Sequence, residues 1–223
     1  MTGLLVITAV PAEAEAVRAG LSDPATTVVA VGVGPAVAGA ATARLLALAE
    51  AGGRPYRGVV SAGVAGGFPD HVPVGGTVLG SSAIAADLGA ESPEGFIPVD
   101  QLGMPAELLG GGVRITADRA LLAALRAGLP AATVGPVLTV TTVTGTATST
   151  DELRRRHPDA VAEAMEGYGV AVAAAHAGVP FVELRTISNP IGPRDRDAWR
   201  LREALEALTA AAAALSTATA TGT

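Results

Sequence analysis

The chain has 223 residues, a formal net charge of -6 and no cysteine, and all fifteen of its basic residues are arginine. Without cysteine or lysine there can be no thiolate nucleophile, disulfide, cysteine-held metal cluster or Schiff base. The acidic balance argues against a nucleic-acid partner, because contact with phosphates requires a clustered positive surface.

The length of the chain indicates one domain, and its first residues indicate a cytoplasmic location. A chain of 223 residues can bury a sizeable core, and no linker divides it, so we expect one domain over residues 1–223. The apolar segment 3–10 has no basic region before it and ends at Pro11, which makes it too short for a signal sequence or a membrane span. We therefore expect a cytoplasmic protein without a membrane partner.

Short β-branched runs alternate with alanine-rich stretches, which predicts an α/β sheet. The expected strands cover residues 4–7, 26–31, 58–61, 77–85, 95–99, 113–116, 132–143 and an apolar strand at 181–187. The expected helices cover residues 11–21, 35–51, 118–127, 167–177 and 198–214, with a short helix starting at Asp151. Segments 62–69 and 144–150 are expected to be loops. Ligands bind at the carboxyl ends of strands in such sheets, so we look for a site there.

Two glutamates lie close to predicted helix starts. Glu13 falls on the first turn of the first helix, where the helix dipole favours a carboxylate, so a capping role competes with a functional one. Glu166 lies between apolar segments, and burial of a carboxylate is costly unless it is hydrogen-bonded or acts on a ligand. Glu166 is therefore the stronger functional candidate of the two.

Asn189 and a glycine-rich segment each allow two interpretations. Asn189 follows a predicted buried strand and precedes Pro190, which is typical of a turn, but an amide could also recognise the edge of a base through one donor and one acceptor. The backbone around Ala65 and Gly66 could admit a flat ligand, although a tight turn explains the glycines equally well. Both interpretations stay open for each segment.

No metal or cofactor is expected from the sequence. His71, His157 and His176 show no paired ligand spacing, so we predict no metal site. The glycines of segment 32–39 lack the G-x-G-x-x-G spacing of a dinucleotide-binding loop. We therefore expect chemistry that rests on carboxylates, amides and backbone groups.

Five segments, in order along the chain, resemble one enzyme family. They are Ile-Thr-Ala-Val-Pro-Ala-Glu at 7–13, Val-Gly-Val-Gly-Pro at 31–35, Ser-Ala-Gly-Val-Ala-Gly-Gly at 61–67, Met-Glu at 165–166 and Arg-Thr-Ile-Ser-Asn at 185–189. The chain resembles the nucleoside phosphorylase/hydrolase superfamily, and more closely its methylthioadenosine/S-adenosylhomocysteine nucleosidase branch. The resemblance implies a single-domain, three-layer α/β/α fold with a central mixed, twisted β-sheet. It also implies a purine nucleoside as the small-molecule partner and a homo-oligomer.

The resemblance also implies roles for matching residues. Glu13 would activate a water, and Asn189 would bind the purine near N7. The implied substrate-binding residues are Met165 and Glu166, with Glu166 on the ribose hydroxyls, and Ala65, Gly66 and Thr148, which would pack on the purine. Two positions depart from the family's pattern: Thr148 stands where the nucleosidases tend to have a stacking phenylalanine, and Ala164 replaces the acid usually found two residues before Glu166.

Two features favour hydrolysis of a 6-oxopurine nucleoside. The first loop has no arginine, and Glu13 would repel phosphate while it can accept a proton from water. Where adenine-releasing members have aspartate after the serine, this chain has Asn189, whose NH2 group can donate to a 6-oxo group. A donor that faced the adenine amino group would cost on the order of 1–3 kcal/mol. Hypoxanthine is therefore the expected leaving group, and the combination is similar to the futalosine hydrolase family.

Other functions stay open at this point. A nucleosidase for methylthioadenosine, S-adenosylhomocysteine or inosine would use the same scaffold. A nucleoside-binding sensor without catalysis would be expected to lack one of the two acids, and both Glu13 and Glu166 are present.

Overall fold

The computed structural model describes residues 3–218, which contain ten strands and six α-helices. The strands are β1 (Leu4–Thr8), β2 (Thr27–Ala30), β3 (Gly58–Gly67), β4 (Thr77–Ala85), β5 (Gly89–Ser92), β6 (Gly95–Pro98), β7 (Arg114–Thr116), β8 (Thr133–Thr139), β9 (Ala162–Ala164) and β10 (Phe181–Pro190). The helices are α1 (Pro11–Gly20), α2 (Pro35–Ala51), α3 (Arg119–Gly128), α4 (Ala147–Arg156), α5 (Gly167–His176) and α6 (Leu201–Ala218). Short 3-10 helices cover Val99–Leu102, Ala106–Leu109 and Arg196–Ala198.

Eight strands form a mixed sheet in the order β10-β4-β8-β9-β3-β1-β2, with β7 paired to β4. Strand β3 is parallel to β1 and β10, whereas β4 is antiparallel to β10 and β9 is antiparallel to β3. Because β10 pairs with both β4 and β3, five strands close into a ring. The carboxyl end of β3 consequently lies between β9 and β10.

Helices cover both faces of the sheet. Helices α1, α3 and α6 pack on one face against side chains such as Val60 and Leu184. Helices α2 and α5 pack on the other face against side chains such as Leu5 and Val59. Successive residues of a strand point to opposite faces, which is why Val59 and Val60 enter different clusters. The expected three-layer α/β/α fold with a mixed sheet is confirmed.

The starts of α2 and α5 lie next to each other because glycine permits their contact. A Cβ atom at Gly169 would lie 2.0 Å from the carbonyl oxygen of Pro35, and one at Gly39 would lie 3.1 Å from that of Gly169. No side chain fits between the two helices at these positions. The close packing brings the turn at Gly34 up to the start of α5, where Glu166 lies.

Several predicted bounds differ from the structure. The glycine-rich segment predicted as a loop is part of β3, which continues to Gly67 because its backbone pairs with β10 and β9. The strand predicted over 132–143 ends at Thr139. The helix predicted from Asp151 begins at Ala147, because the Thr146 hydroxyl caps it by accepting the Ser149 N–H at 3.1 Å. Strands β5 and β9 were not predicted.

Candidate active site

Glu13 lies on the first turn of α1, and backbone amides hold its carboxylate. The residue is 4% exposed. Its Oε2 accepts the N–H groups of Ala9 at 2.9 Å and Val10 at 3.2 Å, and its Oε1 accepts the N–H of Val64 on β3 at 2.9 Å. Two donors occupy Oε2, whereas Oε1 keeps a lone pair that could accept a proton from water. Glu13 therefore caps α1 and also has an oxygen with unused capacity.

Glu166 immediately precedes α5 and is held by the turn before α2. It is 5% exposed, and its Oε1 accepts the N–H of Gly34 at 3.1 Å. Gly34 has a φ of +97°, a conformation that favours glycine and aims this N–H at the carboxylate. The N-termini of two helices, α2 and α5, thus lie beside the Glu166 carboxylate. Met165, its neighbour in sequence, is half-buried.

Arg185 on β10 brings the two acids together. Its Nη2 lies 3.8 Å from Oε2 of Glu166. A Cβ atom at Gly63 would lie 2.5 Å from Oε1 of Glu13 and 2.9 Å from Nη1 of Arg185, so both groups border the same space beside β3. Only glycine at position 63 leaves that space free. Arg185 is 1% exposed and also donates to the Ser61 hydroxyl at 3.0 Å.

Glu183 is a third acid in this network. Its Oε1 accepts the Nε–H of Arg185 at 2.8 Å, while its Oε2 has no hydrogen-bond partner within the described residues. A Cβ atom at Gly167 would lie 2.3 Å from Oε2, so the glycine that starts α5 makes room for the carboxylate. Burial raises the pKa of Glu183 and outweighs the opposing effect of Arg185. Burial also lowers the pKa of Arg185, but the charges of Glu183, Glu166 and Glu13 raise it overall, so Arg185 stays charged.

A β-bulge near the end of β10 changes the face of the sheet to which the Asn189 side chain points. Ile187 and Asn189 are two residues apart, but they pair with consecutive residues of β3. The shift reverses the alternation of side chains, so Asn189 leaves the face on which Ile187 is buried. The Ser188 hydroxyl donates to Oδ1 of Asn189 at 2.8 Å, and Nδ2 donates to the Pro190 carbonyl at 2.9 Å. The amide oxygen and nitrogen are thereby oriented, and each keeps capacity for a further hydrogen bond.

A cavity, termed here the Asn189 pocket, opens beside this amide. Its lining includes Gly66, Thr144, Glu163, Asn189, Ile191 and Trp199. Ala65 lies buried next to Gly66 in β3, and its carbonyl oxygen lies 3.3 Å from the Ser188 hydroxyl. Thr148 does not line the pocket, because it lies exposed on the first turn of α4. The segment before α4 contributes Val143 and Thr144 instead.

Strand β3 connects the acids to this pocket. Val64, which binds Glu13, is two residues from Gly66, and this separation spans roughly 6.6 Å along an extended strand. The structure therefore brings Glu13, Glu166 and Asn189 to the same end of the sheet.

Three buried charged residues were not predicted from the sequence. The stretch 181–187 was predicted as an apolar strand, and this was wrong because Glu183 and Arg185 form an ion pair inside it. Their spacing of two residues places both on one face of a strand, which is a signal that could have revealed the pair. Glu163 lies on β9, which was not predicted.

Residues 3–218 contain neither a metal-binding cluster nor a membrane-spanning helix. No group of three His, Asp or Glu side chains there could hold a metal ion. No helix in that range is long and apolar enough to cross a membrane.

Comparison with known proteins identifies the family. Residues 7–221 match the Phosphorylase superfamily. The chain belongs to this superfamily. Futalosine hydrolase from Streptomyces coelicolor is 48% identical to the chain over 236 residues, covering 96% of this chain and 94% of that protein. Futalosine hydrolase from Acidothermus cellulolyticus is 44% identical, covering 96% of this chain and 90% of that protein.

Solved structures of the superfamily share the fold. The native structure of futalosine hydrolase from Helicobacter pylori strain 26695 superposes with a TM-score of 0.76 at 16% identity, covering 96% of this chain and 97% of that chain. A 5′-methylthioadenosine/S-adenosylhomocysteine nucleosidase from Colwellia psychrerythraea 34H, in complex with adenine, gives a TM-score of 0.75 at 22% identity, covering 98% and 95% of the two chains. At these identities the likeness concerns the fold alone.

Proposed function

We propose that the chain hydrolyses the N-ribosidic bond of futalosine, releasing hypoxanthine and dehypoxanthine futalosine in menaquinone biosynthesis. The identities of 48% and 44% to futalosine hydrolases, over nearly the whole chain, support this substrate. The chain is an N-glycosyl hydrolase. We assign the catalytic work to Glu13 and Asn189, with Glu13 rather than a metal ion or cofactor activating the attacking water, and we assign the binding of the ribose to Glu166.

One observation carries the choice of water over phosphate. A helix N-terminus with free backbone N–H groups is a ready anion site, and a phosphorylase could use one to hold phosphate. At the start of α1 the N–H groups of Ala9 and Val10 are bound by Oε2 of Glu13, and Oε1 of Glu13 binds Val64. The protein's own carboxylate thus fills the place of an external anion and would repel phosphate. A carboxylate can instead accept a proton from water.

The proposed reaction breaks one C–N bond and forms one C–O bond. Glu13 takes a proton from water through Oε1 as the water oxygen attacks the anomeric carbon of the ribose. The bond from that carbon to N9 breaks, and its electron pair leaves with the purine, which is protonated at N7 from solvent. Glu166 binds the 2′- and 3′-hydroxyls and orients the sugar. The transition state carries positive charge on the ribose and negative charge on the departing base.

Asn189 is assigned to bind the departing base. Its Nδ2 keeps one N–H after donating to Pro190, and this N–H can donate to the 6-oxo group of hypoxanthine. Its Oδ1 can accept from N7–H once the base is protonated. Ala65, Gly66 and Met165 are assigned to substrate contact, whereas the exposed position of Thr148 gives no support for stacking on the purine.

The function is tested by supplying futalosine, inosine and methylthioadenosine separately, in buffer without phosphate, and following the free base by chromatography. Futalosine should yield hypoxanthine, with a kcat/KM well above those of the other two nucleosides. Preferred release of adenine from methylthioadenosine, or of hypoxanthine from inosine, would identify that nucleoside, and not futalosine, as the substrate. Turnover that requires phosphate would indicate a phosphorylase, and tight binding without turnover would indicate a sensor.

A further inference from the structure

Glu163 is a buried acid that the mechanism above leaves without a role. It lies on β9, is 5% exposed and lines the Asn189 pocket. The Thr144 N–H donates to Oε1 of Glu163 at 2.8 Å, and the Thr144 hydroxyl donates to Oε2. An ionised carboxylate has about four lone-pair sites, so both oxygens can accept another hydrogen bond. The carboxylate therefore has unused acceptor capacity in a pocket suited to a base.

The sheet places Glu163 and Asn189 on either side of Gly66. Gly66 of β3 pairs with Glu163 of β9 on one side and with Asn189 of β10 on the other. Residues directly opposite in adjacent strands project to the same face, and a Cβ atom at Gly66 would lie 3.5 Å from Nδ2 of Asn189. Cγ2 of Ile191 would lie 2.9 Å from the same Cβ atom, so Ile191 borders the pocket at Gly66, and the strands that carry the two polar side chains lie about two strand spacings apart, roughly 9.6 Å.

A purine bound in the Asn189 pocket would present two edges that carry its identity. In hypoxanthine, ring atom N1 carries a hydrogen and donates, while the 6-oxo group accepts. In adenine both properties are reversed, because N1 accepts and the 6-amino group donates. A carboxylate placed at N1 attracts the first base and repels the lone pair of the second. Asn189 is assigned to the neighbouring edge, which contains the 6-substituent and N7.

We propose that Glu163 determines base specificity by accepting the N1–H of the departing 6-oxopurine, an inference that rests on the proposed function. Thr144 donates both its N–H and its hydroxyl to the Glu163 carboxylate, so the remaining lone pairs of Glu163 present acceptors at this part of the Asn189 pocket. Burial raises the pKa of Glu163 above its usual value despite the hydrogen bonds from Thr144, and a bound N1–H would oppose this rise.

The test measures binding of free hypoxanthine and free adenine by calorimetry, which needs no turnover. In Glu163→Gln the new NH2 group can donate to N1 of adenine but opposes the N1–H of hypoxanthine. The dissociation constant for hypoxanthine should rise about 10- to 100-fold, while that for adenine stays equal or falls. Asp87→Asn is a matched control, because exposed Asp87 likewise accepts the N–H and hydroxyl of a threonine, Thr141, outside the Asn189 pocket. It should leave both constants unchanged.

Equal weakening of both bases, or no change in either, would overturn the role of Glu163. 1-Methylhypoxanthine provides a second test on the unmodified protein, since it keeps the 6-oxo group but has no N1–H. It should bind at least tenfold more weakly than hypoxanthine to the wild type, and equal affinity would refute the proposal even if Glu163→Gln failed to fold. Failure of the proposed function has a different signature: futalosine would remain intact while hypoxanthine binding still depended on Glu163.

Discussion

Replacement of Glu13 by glutamine distinguishes a role in accepting a proton from water from a role in binding the nucleoside. The amide nitrogen has no lone pair for a proton, so Glu13→Gln removes the general base while it nearly preserves the shape of the side chain. Oε2 accepts two backbone N–H groups and Oε1 accepts one, so the variant amide should keep its oxygen at Oε2 and place NH2 against Val64. This orientation puts an NH2 group at Oε1, the position proposed to accept the proton of the attacking water.

The magnitudes follow from these contacts. Loss of a general base lowers kcat about 10²–10⁴-fold, which corresponds to roughly 3–5 kcal/mol of transition-state stabilisation. KM should change little, because Glu13 acts on water and not on the nucleoside. The N–H of Val64 loses its acceptor, which costs about 1–3 kcal/mol of folding free energy, or roughly 2–4 °C in Tm per kcal/mol for a protein of this length.

The assay compares kcat and KM for hypoxanthine release from futalosine with Tm from thermal unfolding, at a temperature well below the Tm of the variant. Glu15→Gln is the matched control, since Glu15 is exposed on the same helix and its variant should retain wild-type kcat. Formate, which can enter the space left by Glu13→Ala, should restore part of the activity of that variant. Wild-type kcat in a folded Glu13→Gln protein would refute the assignment of the base.

Further predictions concern the base, the network and the response to pH. Asn189→Asp should shift preference from hypoxanthine to adenine nucleosides by at least tenfold in the ratio of kcat/KM values, because the carboxylate accepts from the 6-amino group; an unchanged ratio would refute the leaving-group argument. Gly167→Ala should destabilise the fold by about 1–3 kcal/mol in denaturant unfolding and lower kcat, because its Cβ would lie 2.3 Å from Oε2 of Glu183. Burial lowers the pKa of His157 from 6.5 to about 4, so the unfolded chain binds more protons between these values and stability falls as pH decreases from 6.5 to about 4. His157→Gln should flatten the dependence of Tm on pH within that window, and an unchanged slope would count against this cause. The protein should form a homo-oligomer through exposed apolar residues of α2 such as Val37 and Leu48, and a monomer mass by light scattering would contradict this.

Local sequence patterns and the order of segments along the chain were sufficient to predict most of the fold. Alternating runs and caps such as Asp118, which accepts the Leu121 N–H at 2.8 Å, indicated most helices and strands correctly. Sequence alone could not show that the glycines up to Gly67 form a strand, because their pairing partners lie about a hundred residues away or more. Glu163 was missed for a similar reason: β9 has three residues, too few for alternation to be visible, and exists through pairing with β3 and β8.

The charges around Arg185 suit a reaction in which the sugar becomes positive. Glu13, Glu166 and Glu183 surround a single guanidinium, so the region carries excess negative charge when all three acids are ionised. Carboxylates at such short range repel each other, and Arg185 and the backbone N–H groups hold Glu13 and Glu166 in place against this repulsion. Groups fixed before the reaction need not reorganise as positive charge develops on the ribose, and this is where electrostatic catalysis is most effective. If Glu13 and Glu166 have the proposed roles, Arg185 is the cation that allows these two acids to face one substrate.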